Sequence, residues 1–146
     1  MTNADLDRLE YARGIRLPDD YRATMLAYPF PPDHEATAFD LPPDIDTLLS
    51  LQLEPDEAEG PEGAWPPYYV VIGSDGGEEV YVLDVSREPA PVLAYDFETG
   101  ERRPLAPNVQ SFVESLRRRS SGSGASGTAP ATVDPRRPWW HIWPYR

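Results

Sequence analysis

Carboxylates are the side chains this chain has in quantity, and a carboxylate pair can serve as general acid and general base across one bond. Asp33, Asp40, Asp75, Glu78 and Asp96 are the candidates for such a role. With 25 acids in 146 residues, some pairs must meet by chance, and none of these stands in a catalytic motif. Ser74 lacks the Gly-x-Ser-x-Gly frame of a nucleophile elbow. His34 and His141 are the only histidines. His34 lies in a proline-rich stretch, and His141 has no second metal ligand near it in sequence. There is no cysteine, which excludes disulfides, zinc ribbons and thiol chemistry. All 13 basic residues are arginine, so no lysine is present for a Schiff base or a P-loop. These missing constellations argue against an enzyme, and no catalytic residue, cofactor or metal ligand is expected.

The segment Gly73-Ser74-Asp75-Gly76-Gly77-Glu78-Glu79 is the one place with the look of a binding loop. A calcium loop needs alternating oxygen ligands closed by a distal bidentate glutamate, and that pattern is absent. A phosphate loop needs a helix to start after the glycines, whereas a β-type run follows. The segment reads instead as a hairpin connection, in which glycine supplies the positive φ that the turn requires.

The elements around it follow from pattern. Residues 4–13 read as a helix, with Leu6 and Leu9 on one face, Gly14 at its end and Thr2 with Asp5 as a capping pair. A second helix starts at Leu17-Pro18-Asp19-Asp20-Tyr21 and carries the stripe Leu17, Tyr21, Met25, Tyr28 until Pro29, Pro31 and Pro32 stop it. Residues 36–41 are expected to form a short strand, and residues 44–51 a short helix after Pro42-Pro43. Tyr68–Gly73 and Val80–Val85 are β-branched and aromatic, and Pro91–Phe97 supplies a third strand. Thr99-Gly100-Glu101 marks the next turn. Asn108 caps a last helix with Val109, Phe112, Val113 and Leu116 on one face. The Ser/Gly-rich run from Ser120 reads as a flexible linker by composition. The expected class is α+β: a central three-stranded antiparallel meander flanked by helices, residues 1–117, followed by a flexible C-terminal tail, residues 118–146.

Three blocks together resemble the SUKH superfamily: Leu17-Pro18-Asp19-Asp20-Tyr21 with its helix, Val71-Ile72-Gly73-Ser74-Asp75-Gly76-Gly77-Glu78-Glu79-Val80-Tyr81-Val82-Leu83-Asp84, and Ser111-Phe112-Val113-Glu114-Ser115-Leu116. The middle block is the most specific, and the resemblance spans roughly residues 4–117. Where that family often has an Asn-Gly-Gly-like turn, this chain reads Tyr28-Pro29-Phe30-Pro31-Pro32. The resemblance implies an antiparallel sheet flanked by helices and a function in binding. Bacterial members are mostly cytoplasmic immunity proteins that block a polymorphic toxin, often a nuclease. The eukaryotic founder is a yeast cell-wall assembly regulator, so a regulatory or scaffolding role is the alternative, with an unrecognised hydrolase behind it.

Charge gives that expectation a physical form. Residues 1–116 carry a net −17 and residues 117–146 a net +5. An acidic body does not suit direct nucleic-acid binding, but it suits a basic partner such as a nuclease toxin, whose phosphate-holding surface it can be steered to and cover. Glu54, Asp56, Glu57, Glu59 and Glu62 in the acidic stretch 54–63 are candidate contacts; the plain alternative is a solvated, mobile loop. Trp65 is a candidate anchor beside them, or else packs under the sheet. Asp75 and Glu78 are candidates because hairpin tips are exposed. The tail holds three of the four tryptophans in Arg136-Arg137-Pro138-Trp139-Trp140-His141-Ile142-Trp143-Pro144-Tyr145-Arg146. It reads as a peptide that docks on its own acidic body or on a partner, as an interfacial membrane contact, or as a poorly ordered extension. The polar, acidic N-terminus and the lack of a long apolar run point to a cytoplasmic protein that does not enter a membrane.

Overall fold

The structure, a computed structural model, describes residues 1–52 and 65–122. Helix α1 (Asn3–Arg13) starts at a reciprocal cap: the Asp5 N–H donates to Thr2 Oγ1 (3.2 Å) and the Thr2 N–H to Asp5 Oδ2 (2.8 Å). It ends at Gly14, whose φ of 63° is open to glycine at little cost. Helix α2 (Asp19–Leu26) buries Tyr21 and Met25 and stops two residues short of Tyr28. Tyr28 lies beyond the helix and donates its hydroxyl to the Leu41 carbonyl. Helix α3 (Ile45–Leu51) is capped by Asp44, which accepts from the Thr47 N–H at 2.8 Å.

Four strands form one antiparallel sheet in the order β1 (Tyr69–Ser74), β2 (Glu79–Asp84), β3 (Val92–Asp96) and β4 (Arg102–Ala106). The meander is therefore one strand longer than the pattern predicts. Residues 102–106 carry two arginines and a proline and show no apolar alternation. They pair because the Asp96–Glu101 turn returns the chain beside β3, with Gly100 at φ 73°. Arginine and proline on an edge strand also discourage pairing with another chain.

The opposite edge, on β1, is closed by side chains and by one loop. The Gln52 amide accepts from the Val71 N–H (3.1 Å) and donates to its carbonyl (2.8 Å), as a neighbouring strand would. Arg13 donates to the Tyr69 carbonyl, and the Ser74 N–H donates to the Phe39 carbonyl at 2.9 Å. Residues 36–41, expected as a strand, instead begin in a single 3-10 turn (Glu35–Thr37) capped by His34. The edge they would pair with is already occupied by Gln52, and only Phe39 reaches it.

The sheet buries both faces. Tyr81, Leu83, Val92 and Ala94 face helix α4 (Val109–Gly122), where the Tyr81 and Phe112 rings meet edge-to-face at 5.4 Å. The other face carries Tyr69, Val71, Val80, Val82 and Tyr95, all buried, and Trp65 packs edge-on against Tyr69 and Tyr95. Asn108 caps α4 as expected, accepting from the Ser111 N–H at 2.8 Å. The helix runs through Ser120 and Ser121 to Gly122, beyond the point where composition alone suggests a linker.

β1 is interrupted by a bulge between Val71 and Gly73. A Cβ on Gly73 would stand 2.0 Å from the Asp40 carbonyl oxygen and 2.7 Å from that of Phe39. Backbone rests on backbone there, and only glycine leaves the room. Gly73→Ala is expected to cost about 1–3 kcal/mol or more, because the clash is with main chain that cannot swing aside; thermal unfolding of the purified variant measures it. Tyr21 gives the opposite expectation. Its hydroxyl is fully buried and meets no hydrogen-bond partner among the described residues. Tyr21→Phe should be neutral or stabilising by up to about 1 kcal/mol, since a buried polar group without a partner carries a desolvation cost. A clear loss of melting temperature would contradict that.

Candidate partner-binding surface

Asp75 and Glu78 sit on the β1–β2 hairpin, and both are exposed. The Asp75 carboxylate holds the turn: Oδ1 accepts from the N–H groups of Gly77 (2.8 Å) and Glu79 (3.2 Å). Gly76 takes the positive φ, 79°, that the turn needs. Asp96 does the same work at the β3–β4 turn, accepting from the Glu98 and Thr99 N–H groups at 2.8 and 3.0 Å. Antiparallel pairing brings these two turns side by side, because Glu79 pairs with Asp96 and the Phe97 N–H donates to the Glu78 carbonyl.

The result is a crowd of like charges at one end of the sheet. The Glu78 carboxyl is held above the usual carboxylate range, first by the charge of Glu98 and a hydrogen bond shared with it, then by slight desolvation, and then by Asp96 and Asp75. Glu79 is set apart from this group by its ion pair with Arg103 at 2.9 Å. Beside the tip lies Phe39, 41% exposed, its ring laid over Gly76. An exposed aromatic ring flanked by carboxylates can seat a guanidinium or ammonium group by cation–π contact and charge at once.

The segment that presents Phe39 is fastened from below. Asp40, one of two buried charged residues among the described ones, forms an ion pair with Arg119 of α4 at 2.6 Å. Burial nevertheless raises the Asp40 carboxyl above its ordinary value, against the opposing pull of Arg119 and of a hydrogen bond with Tyr81. The same surroundings push the Tyr81 hydroxyl up to about 12, with burial the main cause and Asp40 the next. Ser120 adds a hydrogen bond to Glu35 at 2.8 Å. The last turns of α4, the 35–41 segment and the hairpin tip therefore form one continuous contact chain.

The remaining candidates divide. Glu54, Asp56, Glu57, Glu59 and Glu62 lie outside the described residues. Trp65 is not an exposed anchor: it is 3% exposed and belongs to the apolar face of the sheet, so it supports the surface without presenting itself. Of the five acids considered for hydrolysis, Asp75, Glu78 and Asp96 converge at the exposed sheet end, while Asp40 is buried against Arg119. Among the described residues no group of three His, Cys, Asp or Glu side chains is placed to hold a metal ion. No helix of the described residues is long and apolar enough to cross a membrane. Phe39 and Glu98 were not evident as site residues. Nothing in Ala38-Phe39-Asp40 marks the ring as exposed, and Glu98 joins Glu78 only through strand pairing.

A four-stranded antiparallel meander with helices on one face, closed by a long amphipathic helix and ending in an exposed acidic tip, defines an α+β domain. The chain belongs to the SMI1 / KNR4 family (SUKH-1), whose sequence profile matches residues 1–115. No curated protein and no solved structure matches it significantly.

The ion pair under Phe39 makes a prediction. Arg119→Ala leaves the Asp40 carboxylate buried without its cation. The expected loss is about 1–3 kcal/mol, less than for a fully buried pair because the Arg119 side chain is 51% exposed. Since the native Asp40 carboxyl is raised, stability tied to it is present at low pH and falls as pH rises through its native titration. The variant should therefore lose most at neutral pH and least in acid, which melting curves across that range will show.

Proposed function

We propose that this protein is an immunity-type binding protein that neutralises a cognate bacterial toxin by covering its active surface, and that it carries out no chemistry of its own. Membership of the SMI1 / KNR4 family supports a binding role in general. The observation that carries the finer reading is the acidic tip itself. Glu78 and Glu98 stand together at an exposed end of the sheet with Asp75, Asp96 and the Phe39 ring, and Glu78 is raised by their mutual repulsion. A fold gains nothing from such crowding, whereas a cation-rich partner relieves it on arrival.

A basic toxin surface, such as a nuclease's phosphate-holding cleft, is the partner chemistry that fits. The net −17 of residues 1–116 steers such a partner over distances comparable to the Debye length. The candidate contacts are Asp75, Glu78, Asp96, Glu98 and Phe39, together with Glu54, Asp56, Glu57, Glu59 and Glu62 of the acidic stretch. Proline and arginine on the β4 edge disfavour strand addition as the binding mode, so side chains at the tip carry the contact. The expected setting is the bacterial cytoplasm, where an immunity protein meets its toxin.

The gene is expected directly downstream of a large toxin gene, and co-expression of this chain with that toxin should restore growth. Glu78→Arg combined with Glu98→Arg should abolish the rescue while leaving the fold intact, since both side chains are exposed. Association should slow steeply as salt rises; a flat salt response, or full rescue by the double variant, removes the acidic tip from the interface. Because bound cations lower the Glu78 titration from its raised free value, binding should release protons and tighten as pH rises through the carboxylate range. Isothermal titration in buffers of different ionisation enthalpy measures that release. Isolation of the gene from any toxin gene would favour the regulatory reading instead.

A further inference from the structure

A groove of about 410 Å³ lies where the described chain ends. One wall is Pro29, Phe30, Pro31 and His34; the other is Arg117 and Ser121 of the last turns of α4. The Phe30 and His34 rings are stacked at 4.3 Å, and the Arg117 guanidinium lies 5.9 Å from the Phe30 ring centre. Prolines, stacked rings and a planar cation make a surface for aromatic and proline-rich peptide, which binds with little conformational entropy to lose.

We propose that this groove takes the C-terminal segment of the same chain, residues 138–145. That segment reads Pro-Trp-Trp-His-Ile-Trp-Pro-Tyr, the chemistry that such a surface accepts. Its tether begins at the groove's own rim, because Ser121 lines the groove and α4 ends at Gly122. Residues 123–137 separate the groove rim from the segment by 15 residues, a length whose greatest reach of roughly 50 Å is ample for the segment to turn back on the groove. Charge agrees as well: Arg136 and Arg137 precede the segment, and Asp33 and Glu35 flank His34 on the exposed surface. The docked segment would place the basic end of the chain against the acidic body, on a groove formed by residues 29–34 and α4 and not on the hairpin tip. It does not depend on the partner reading above.

The test uses the full chain. Amide spectra of the wild type are compared with those of a Trp139→Ala, Trp140→Ala, Trp143→Ala variant at several protein concentrations. Within residues 1–122, docking in cis predicts amide shift differences confined to Phe30, Asp33, His34 and residues 117–121, independent of concentration. In an Arg117→Glu chain the same triple change should move the Phe30, Asp33 and His34 amides less than it does in the wild type, because the docking surface has lost its cation. Identical spectra overturn the proposal. So do differences centred on the hairpin tip 74–79 or around Tyr11, the exposed aromatic of α1. Concentration-dependent shifts overturn it too, because they would mean that the segment reaches a second copy.

Discussion

The contact of the Phe39–Asp40 backbone with Gly73 is the constraint on which the rest of the surface depends. Two main chains meet there with no side chain between them. The bulge in β1 turns the strand toward the loop, the Ser74 N–H bonds to the Phe39 carbonyl, and Phe39 is thereby laid across the hairpin tip. On the far side of the same segment, Asp40 reaches Arg119. A single position without a Cβ thus couples the central hairpin to the closing helix. An atom added there would have to push main chain apart, so the two segments are held in one relative position.

Much of the fold was legible because its signals are local. The Thr2–Asp5 cap, Gly14, the Asp75–Gly76 turn and the Asn108 cap all act within a few residues of their own position, and each is found where the pattern places it. What escaped depends on distant partners. Residues 102–106 have no strand pattern, since an edge strand needs a neighbour more than an apolar stripe. Residues 36–41 have some strand character but become a turn, because Gln52 from elsewhere in the chain already holds the β1 edge. The last helix outlasts its apolar stripe because Arg119 and Ser120 are fastened to Asp40 and Glu35.

The candidate surface divides along the same line. Asp75 and Glu78 can be picked out from a hairpin motif alone. Glu98 is twenty residues from Glu78 in sequence and becomes its neighbour only when β2 and β3 pair. Phe39 stands out only when the bulge and its glycine are in place. Trp65, by contrast, resembles an anchor in sequence and proves to be a core ring, because an aromatic next to acidic residues satisfies either description until the sheet face beneath it is known.

The β1 edge has a consequence for how this chain can change. Gln52 grips the strand on one side of residues 53–64, and Trp65 is sunk into the sheet on the other. Both flanking residues are held by the same sheet, so these anchoring contacts lie outside residues 53–64 and do not rest on which residues fill that stretch.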